Sequence, residues 1–502
     1  MDLANLVPVP VLLPLIAAGV TLILARHPAW QKIVSGTTLA IVAVLALILC
    51  IGADAQGPIV LWVGAWPDGL GIVLVADRLS SLMVLVSSIV TALVVIFPSR
   101  RDIADSADGA PVSVFHPTFL VLTAGVANAF LAGDLFNMFV SFEMLLFSSY
   151  VLIMLGATKE RVRAGSTYVV VSVVSSTLFL LALSIVYGAT GTVSFAQLPE
   201  RLAALDPNLQ LLIQLLLLVV FGIKAAVFPL QAWLPDSYPT APASVTAVFA
   251  GLLTKVGVFA IIRVQTLLFP ESPLTDLLLV VAILTMVLGI LGALAQGEIK
   301  RLLSFTLVSH IGYMLLGIAL GTEAGLSGAI FYIVHHILVQ TALFIVVGLI
   351  ERVGGSTSLA RLGGLAAIPL LAVLYLLPAL NLGGIPPFSG FLGKVALIDA
   401  ALETPTMLAV AAVVAGVLTS LLTLIAVIRV WQRAFWQDRG EDDDRVHSVR
   451  VLPRIWIFAA SALVGITVAL TALAGPLTSF ADRAAFDIHR GAYQQAVEEA
   501  MP

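Results

Sequence analysis

The chain has 502 residues, of which 60% are hydrophobic and only 11% are charged. Soluble domains carry about 25% charged residues, so the composition excludes a soluble globular protein and predicts a polytopic membrane protein. The net charge of −4 identifies no partner, and no nucleic-acid partner is expected. The single Cys50 excludes an intramolecular disulfide framework and a cysteine-rich metal site.

The apolar runs predict helices and not the strands of a barrel. The runs are continuous over about 20 residues, whereas barrel strands show alternation over about 10 residues. In lipid the backbone must satisfy its own hydrogen bonds, which favours helices. The fold class is therefore all-α, with about fourteen transmembrane spans at the approximate limits 4–25, 33–52, 72–97, 117–133, 135–157, 164–188, 209–234, 243–264, 274–296, 301–320, 325–350, 366–402, 406–432 and 451–478.

The loops predict the orientation of the chain. The first span lacks a basic leader, so no cleaved signal peptide is expected. Five basic residues fall on one side of the membrane: Arg78, Arg201, Arg263, Arg483 and Arg490. Sixteen fall on the other side: Arg26, Lys32, Arg100, Arg101, Lys159, Arg161, Arg163, Lys300, Arg301, Arg352, Arg361, Arg433, Arg439, Arg445, Arg450 and Arg454. The richer side should be cytoplasmic, with both termini outside. The polar tail after Ser479 is expected to be partly disordered or to dock on a neighbour.

Spans 4–8 and 9–13 have the order of two five-helix repeats. Each has a proline-interrupted helix in its fourth place, span 7 at Pro229 and span 12 at Pro386 and Pro387. Broken helices at membrane depth are tolerated only inside protein or beside a water-filled cavity. Because five is odd, the copies are inverted, which is typical of transporters. The predicted divisions are 1–116, 117–264, 265–432 and 433–502.

Four ionisable residues lie inside apolar runs: Glu143, Lys224, Lys255 and Lys394. A lysine in hydrocarbon costs about 2.5 to 3.5 kcal/mol even on insertion scales, so such residues are functional candidates. Glu143 lies about 13 Å deep in span 5 at 1.5 Å per residue, and Lys224 precedes the Pro229 break. Protonating Glu143 would strand Lys224 and promote release of its proton toward Lys255. A static ion pair that fixes helix packing is the alternative.

Histidines and a last lysine extend this set. His335 and His336 are adjacent in span 11, so at most one of them faces a given path. One of them as a proton relay is one interpretation, and a packing histidine is the other. A metal site is not expected, because i,i+4 spacing is favoured for two helical histidines. Lys394 follows Pro387 by two helical turns and is predicted to be the terminal proton site.

These motifs resemble a known family. The stretches 134–153, 222–263, 298–318, 332–348 and 383–394 are similar to the antiporter-like membrane subunits shared by Mrp-type cation/proton antiporters and respiratory complex I. Within that family, DLFNMFVSFE and GIPPFSGFLGK are most similar to the D-type membrane subunits of the Mrp antiporters.

The resemblance implies roles for individual residues. Glu143 matches the glutamate that pairs with the lysine matched by Lys224, and Lys255 and Lys394 match the lysines that continue a hydrophilic axis. Gln340 stands where several relatives have a lysine, so the centre of the axis is expected to rest on His336 or His335.

The expected function is proton translocation within a multisubunit Na⁺/H⁺ antiporter that serves pH and Na⁺ homeostasis. The chain is then a secondary transporter subunit and not an enzyme, with no cofactor, and its partners are other membrane subunits, H⁺, Na⁺ and lipid. One alternative is a proton-pumping subunit of a redox-driven complex, such as complex I or a membrane hydrogenase. A second alternative is a scaffold whose buried charges are structural.

Overall fold

The computed structural model describes residues 3–66, 71–97, 112–156, 158–403, 406–438 and 452–501. The basic residues Arg100, Arg101, Arg439, Arg445 and Arg450, which entered the orientation argument, lie outside the described residues.

The described chain is almost entirely helical. Two short strands, β1 (Ile59–Trp62) and β2 (Val73–Ala76), pair antiparallel. The helices are α1 (Val9–Ile23), α2 (Pro28–Gln56), α3 (Arg78–Val94), α4 (Phe115–Leu131), α5 (Leu135–Ile153), α6 (Lys159–Thr190), α7 (Leu198–Ala203), α8 (Pro207–Ala225), α9 (Trp233–Ser237), α10 (Ala243–Val248), α11 (Thr254–Arg263), α12 (Thr275–Leu294), α13 (Ile299–Ala319), α14 (Glu323–Gly354), α15 (Pro369–Gly383), α16 (Ser389–Leu402), α17 (Met407–Trp431), α18 (Arg454–Ala472), α19 (Ala474–His489) and α20 (Ala492–Glu499).

Eleven helical stretches in the described parts are long and apolar enough to cross a membrane. The apolar helices α3, α4 and α15 are shorter. The chain is therefore a polytopic helical membrane protein, because lipid leaves the backbone no other way to satisfy its hydrogen bonds. The count of fourteen spans stays a prediction.

Two long helices begin and end in the same way. Helices α6 and α14 each have 32 residues. A threonine hydroxyl, Thr158 or Thr322, accepts a hydrogen bond from a backbone N–H of the first turn. A left-handed glycine, Gly191 or Gly355, ends each helix, because only glycine takes that conformation without a Cβ clash. The local sequence thus sets both boundaries of each helix.

Helix α14 lies at the centre of the fold. Its residues are buried without interruption from Gly325 to Ile350. It packs against α10, α13, α15, α16, α18 and α19. The stretch Ala243–Leu268, which contains α10 and α11, is buried to the same degree. Polar side chains on these helices are therefore surrounded by protein and not by lipid.

The C-terminal tail packs on the chain itself. Helix α19 contacts α14 and α3, and α20 contacts β1. Arg78 and Arg483 both bind Asp54 at 2.8 Å, and Arg78 also binds Asp487. The described tail residues are helical and in contact with the rest of the chain, and docking on a neighbouring subunit stays a prediction. In helix α19 of the tail, the small residues lie on the buried face and the charged residues lie on the opposite face. This separation lets the helix pack on the rest of the chain.

Close helix packing at Gly289 gives a test of the fold. A Cβ there would come within 2.5 Å of the backbone nitrogen of Ser309 on the neighbouring helix. We expect Gly289→Ala to destabilise the protein by about 1 to 3 kcal/mol through overpacking. The control is Gly188→Ala on an exposed stretch of α6, where a Cβ meets nothing within 4 Å. Thermal unfolding of both variants in detergent measures the difference, and equal melting temperatures would contradict the packing.

Candidate functional site

Glu143 faces a groove between α5 and α6. The groove has a volume of about 470 Å³ and is lined by Glu143, Phe147, Tyr150, Val173 and Ser176 among others. Glu143 is half-buried, and its Oε1 is inaccessible and has no hydrogen-bond partner. Apolar side chains such as Phe147, which is 67% exposed, surround the groove. The carboxylate therefore sits at the lateral edge of the bundle and not at its centre.

Lys224 lies in the last turn of α8, just before the first helix break. Helix α8 ends at Ala225, where Ala226 takes a left-handed conformation with φ 59°. The chain resumes as a helix at Trp233, so Pro229 lies between the two helical pieces. The carbonyl end of a helix carries partial negative charge, which stabilises the Lys224 ammonium.

The predicted Glu143–Lys224 pair has no direct contact in this conformation. Lys224 Nζ donates to Ser176 Oγ at 3.4 Å and lies 5.5 Å from the centre of the Phe142 ring. Among the described ion pairs within 4.0 Å, none joins Glu143 to Lys224. Glu143 is still close enough to act electrostatically on Lys224. Ser176 also lines the Glu143 groove, so its hydroxyl lies between the two charges.

A small cavity opens on the other side of Lys224. It has a volume of about 30 Å³, and its lining includes Tyr168, Ser172, Lys224 and Trp233. That volume has room for a water molecule beside polar side chains. Trp233 donates its indole N–H to the carbonyl of Ile223 at 3.1 Å, which satisfies one backbone group freed by the break.

Lys255 is fully buried beside a π-helical turn. The turn covers Phe249–Leu253 and directly precedes α11. Lys255 Nζ donates to the carbonyl of Ala250 at 2.7 Å. π-turns leave backbone groups displaced from the regular ladder and are frequent at functional sites. The turn therefore supplies the one acceptor that holds this ammonium inside an apolar core.

His336 is the least satisfied side chain of the central helix. It is fully buried, and neither ring nitrogen has a hydrogen-bond partner in the protein. Lys255 and Lys394 both lie close enough to act on it electrostatically. The ring of His310 lies 5.2 Å away, centre to centre. His336 thus occupies the space between the two buried lysines.

His310 and Tyr332 link the two histidines of α14. Tyr332 shares a 2.8 Å hydrogen bond with His310 Nδ1, and its ring centre lies 5.3 Å from that of His335. His310 Nε2 lies 3.4 Å from the hydroxyl of Thr423. Each of these groups both donates and accepts protons, so the cluster provides exchangeable partners over a short distance.

His335 points toward the second helix break. Its Nδ1 bonds Ser389 Oγ at 3.0 Å, and Ser389 Oγ in turn donates to Asn381 Oδ1 at 3.3 Å. Asn381 Oδ1 also accepts the N–H of Gly390 at 2.8 Å. Asn381 therefore joins the two helical pieces on either side of the break.

Lys394 is bound by groups that the second break releases. Helix α15 ends at Gly383, Gly384 is left-handed, and α16 begins at Ser389, so Pro386 and Pro387 lie between. Lys394 Nζ donates to the Leu382 carbonyl at 3.1 Å and to Ser420 Oγ at 3.0 Å. It also lies 5.2 Å from the centre of the Tyr313 ring. A free helix carbonyl thus holds this ammonium as the Ala250 carbonyl holds Lys255.

The predicted residues fall into two groups. Lys255, His335, His336 and Lys394 are brought together around α14, whereas Glu143 and Lys224 lie beside the first break. The expectation that at most one of the two histidines faces a given path differs from the structure, because Tyr332 and His310 join both rings into one cluster. Tyr332 and His310 are not among the residues predicted from the sequence. The spacing of Tyr332, His335 and His336 puts them on neighbouring positions of one helix surface, which is the signal that was available. Gln340 donates to the Leu303 carbonyl at 2.8 Å and takes no lysine-like position in the cluster.

The donor set does not resemble a metal centre. Among the residues that the structure describes, no group of three or more His, Cys, Asp or Glu side chains is arranged so that it could hold a metal ion. Ammonium groups beside the histidines would repel a cation. The arrangement is suited to passing protons between titratable groups.

Comparison with known families and proteins gives consistent matches. Residues 132–422 match the family described as NADH:quinone oxidoreductase/Mrp antiporter, TM. A protein of Alkalihalophilus pseudofirmus, named as the D component of a Na(+)/H(+) antiporter, is 39% identical over 469 residues, which cover 92% of this chain and 94% of that protein.

Two solved structures have the same fold. A chain in the structure of the Mrp complex from a Dietzia species superposes with a TM-score of 0.90 and 33% identity, covering 99% of this chain and 100% of that chain. A chain of respiratory complex I from Thermus thermophilus superposes with a TM-score of 0.80 and 25% identity, covering 97% and 99% of the two chains.

Proposed function

Because the chain belongs to the family of membrane subunits shared by NADH:quinone oxidoreductase and the Mrp antiporters, we propose that it translocates protons as one subunit of a multisubunit Na⁺/H⁺ antiporter. The observation that carries the proposal is the buried series Lys255, His336, His310, Tyr332, His335 and Lys394, whose members lie in contact or within electrostatic reach. Burying such a series in apolar surroundings is costly, and ionisable residues inside a membrane are therefore functional candidates.

The proposed pathway begins at Glu143 and ends at Lys394. Protonation of Glu143 removes the carboxylate that stabilises the Lys224 ammonium, so Lys224 releases its proton toward Lys255. The histidine and tyrosine groups then carry the proton across the centre to Lys394. Ser176 binds Lys224 and lines the groove of Glu143. Rotation of the Glu143 and Lys224 side chains past Ser176 would bring the two charges into contact or separate them. Ion-pair switching of this kind couples each step to the next.

The broken helices support the transport proposal. Helices α8–α9 and α15–α16 each end in a left-handed residue and resume after prolines, and each places a lysine near the break. We propose that these are the fourth helices of two inverted five-helix repeats within a fold of about fourteen spans. The equal lengths of α6 and α14 and their matching caps support the repeat.

The ion that is exchanged for protons takes another route in this proposal. Na⁺ requires oxygen ligands, and the central series offers mainly nitrogen groups that carry or accept protons. The Na⁺ pathway is therefore assigned to other membrane subunits of the complex. The chain lies in the bacterial plasma membrane with Lys300, Arg301 and Arg352 at the cytoplasmic side and with both termini outside.

A first prediction for this pathway concerns Glu143. We expect Glu143→Gln to lower proton-coupled Na⁺ transport by at least about tenfold, which corresponds to about 1.4 kcal/mol of lost coupling. The measurement uses everted vesicles that contain the assembled complex. Glu298→Gln is the control, because Glu298 is exposed at a helix start. Wild-type exchange in the Glu143 variant would remove this carboxylate from the mechanism. If the variant instead fails to assemble into the membrane complex, the scaffold alternative is favoured.

A second prediction separates charge from proton release at Lys255. Arginine keeps the positive charge but does not deprotonate in proteins. We expect Lys255→Arg to assemble normally and to lose transport, whereas Lys300→Arg, which keeps the charge of a buried lysine already paired with the partly exposed Glu351, keeps both. Transport rates and complex yield from the same vesicles test this. Full activity in the Lys255→Arg variant would show that only its charge matters.

A third prediction distinguishes the antiporter from a redox-driven complex, which the similarity to complex I raises as the second candidate. We expect the tagged chain, extracted in mild detergent, to bring down only membrane subunits identified by mass spectrometry. Co-purification of flavin or iron–sulfur subunits would assign it to a redox complex, with the same proton pathway coupled to electron transfer.

A further inference from the structure

A second buried carboxyl lies outside the proposed pathway, at the face opposite Lys300 and Arg352. Asp134 occupies the turn between α4 and α5 and is 7% exposed. Its Oδ1 accepts the N–H of Asn137 at 2.6 Å and caps α5. Its Oδ2 is inaccessible and has no hydrogen-bond partner. One oxygen of this carboxyl therefore has a structural role, and the other is unused by the fold.

Ser194 stands directly beside Asp134. The two residues form an isolated antiparallel bridge, flanked by hydrogen bonds from Leu135 N to Val193 O and from Phe195 N to Gly133 O. This pattern makes them a non-hydrogen-bonded pair, in which the Cα atoms lie about 4.5 Å apart and the side chains share one side. Ser194 Oγ is also buried without a partner. Two paired residues thus each carry a buried oxygen without a hydrogen-bond partner.

The C-terminal helix α20 covers this place. Tyr493 of α20 is 2% exposed, and its hydroxyl has no partner. Burial raises the pKa of Tyr493, Arg263 opposes that shift, and the carboxylates of Asp77 and Asp134 add to it. The effect of Asp134 shows that its carboxyl lies within electrostatic reach of the tyrosine hydroxyl.

Arg263 completes the surroundings. Its guanidinium lies 5.0 Å from the centre of the Tyr493 ring and binds Asp77 at 2.8 Å and Ser80 at 2.9 Å. Its Nε and Nη1 have no partner. Arg263, Asp134, Ser194 and Tyr493 thus each carry a buried polar atom without a hydrogen-bond partner, which is the kind of atom that buried water satisfies.

One helix carries both Arg263 and the pathway residue Lys255. Arg263 and Lys255 both lie on α11, eight residues apart, which is about 12 Å along the axis. Lys255 thus has a polar group two turns away on the outer side of the bundle. Burial raises the pKa of the Asp134 carboxyl, with the capping N–H groups opposing the shift. The carboxyl therefore exchanges protons closer to neutral pH than an exposed aspartate does.

We propose that Asp134 is an outer proton-exchange site of this subunit, connected to Lys255 past the Arg263–Asp77 pair and covered by Tyr493 of the C-terminal helix. The inference rests on the proposed proton translocation and adds to it a place where protons meet the outer solution. The charged and titratable groups of this region are Tyr493 of α20, which Asp134 influences electrostatically, and the pair of Arg263 on α11 with Asp77 at the start of α3, which acts on the same tyrosine. The strand β2 and the 193–195 segment contribute no charge.

Glu298 supplies a matched control within the same chain. It forms the same kind of bridge, with Ser358, flanked by hydrogen bonds from Ile299 N to Thr357 O and from Leu359 N to Gly297 O. It precedes α13 as Asp134 precedes α5. Glu298 is exposed, however, whereas Asp134 is buried. The two sites share backbone geometry and differ in burial.

The test uses everted vesicles with the assembled complex, in which the lumen corresponds to the outer side. Asp134→Asn keeps an oxygen for the helix cap, so folding is preserved. We expect the midpoint of the dependence of transport on luminal pH to shift by at least about one pH unit or to disappear, while the dependence on bath pH stays unchanged. Tyr493→Phe keeps the ring over Arg263 and should shift the same midpoint by less. Glu298→Gln should leave the luminal profile unchanged.

A wild-type luminal profile in Asp134→Asn overturns the inference. If Glu143→Gln is inactive in the same preparation, proton translocation stands and only the outer site falls; if both variants behave as wild type, the proposed function falls as well. Labelling of the wild-type complex by an apolar carbodiimide, followed by mass spectrometry, gives a measurement that needs no variant. Modification of Asp134 should persist to higher pH than modification of Glu298, and identical pH profiles at the two residues overturn the inference.

Discussion

An ammonium group buried in an apolar bundle needs an acceptor, and a regular helix offers none because its carbonyls are already used. This constraint shapes the centre of the protein. Lys255 binds the carbonyl of Ala250 beside a π-turn, and Lys394 binds the carbonyl of Leu382 where α15 ends. Irregular backbone and buried lysine therefore depend on each other. Removing either would leave a buried polar group unpaired, at a cost of about 1 to 3 kcal/mol or more for a charge.

Together, the two histidines of α14 make fewer hydrogen bonds than Lys255 and Lys394 make. His336 has no hydrogen-bond partner at either nitrogen, and His335 has none at Nε2. Unsatisfied buried groups are rare in folded proteins, and each one requires an explanation. Under the proposed function the explanation is exchange, because a group with a fixed partner gives up a proton less readily than one whose partner changes. Stability has been given up at the place where transport is proposed.

The C-terminal helices have a role beyond closing the fold. Helix α19 brings Arg483 and Asp487 to the charges of α2 and α3, and α20 brings Tyr493 to Arg263. Surface ion pairs such as Arg483–Asp54 contribute little stability by themselves. Their joint effect is positional, since they hold α19 against α2 and α3 and with it the following helix, whose Tyr493 lies beside Arg263.

The sequence by itself determined the class of fold and indicated the residues that carry the proposed chemistry. Continuous apolar runs specify membrane helices, the glycine after each 32-residue helix specifies its end, and a lysine inside such a run is recognisable because its cost is large. Tertiary structure decided which groups meet. Spacing along the chain does not predict the contacts between distant residues. Examples are the hydrogen bonds of Lys224 with Ser176 and of Tyr332 with His310, and the electrostatic effect of Asp134 on Tyr493. The rotation of each helix about its axis is set by packing against helices distant in sequence, and one residue of rotation, about 100°, moves a side chain from one neighbour to another.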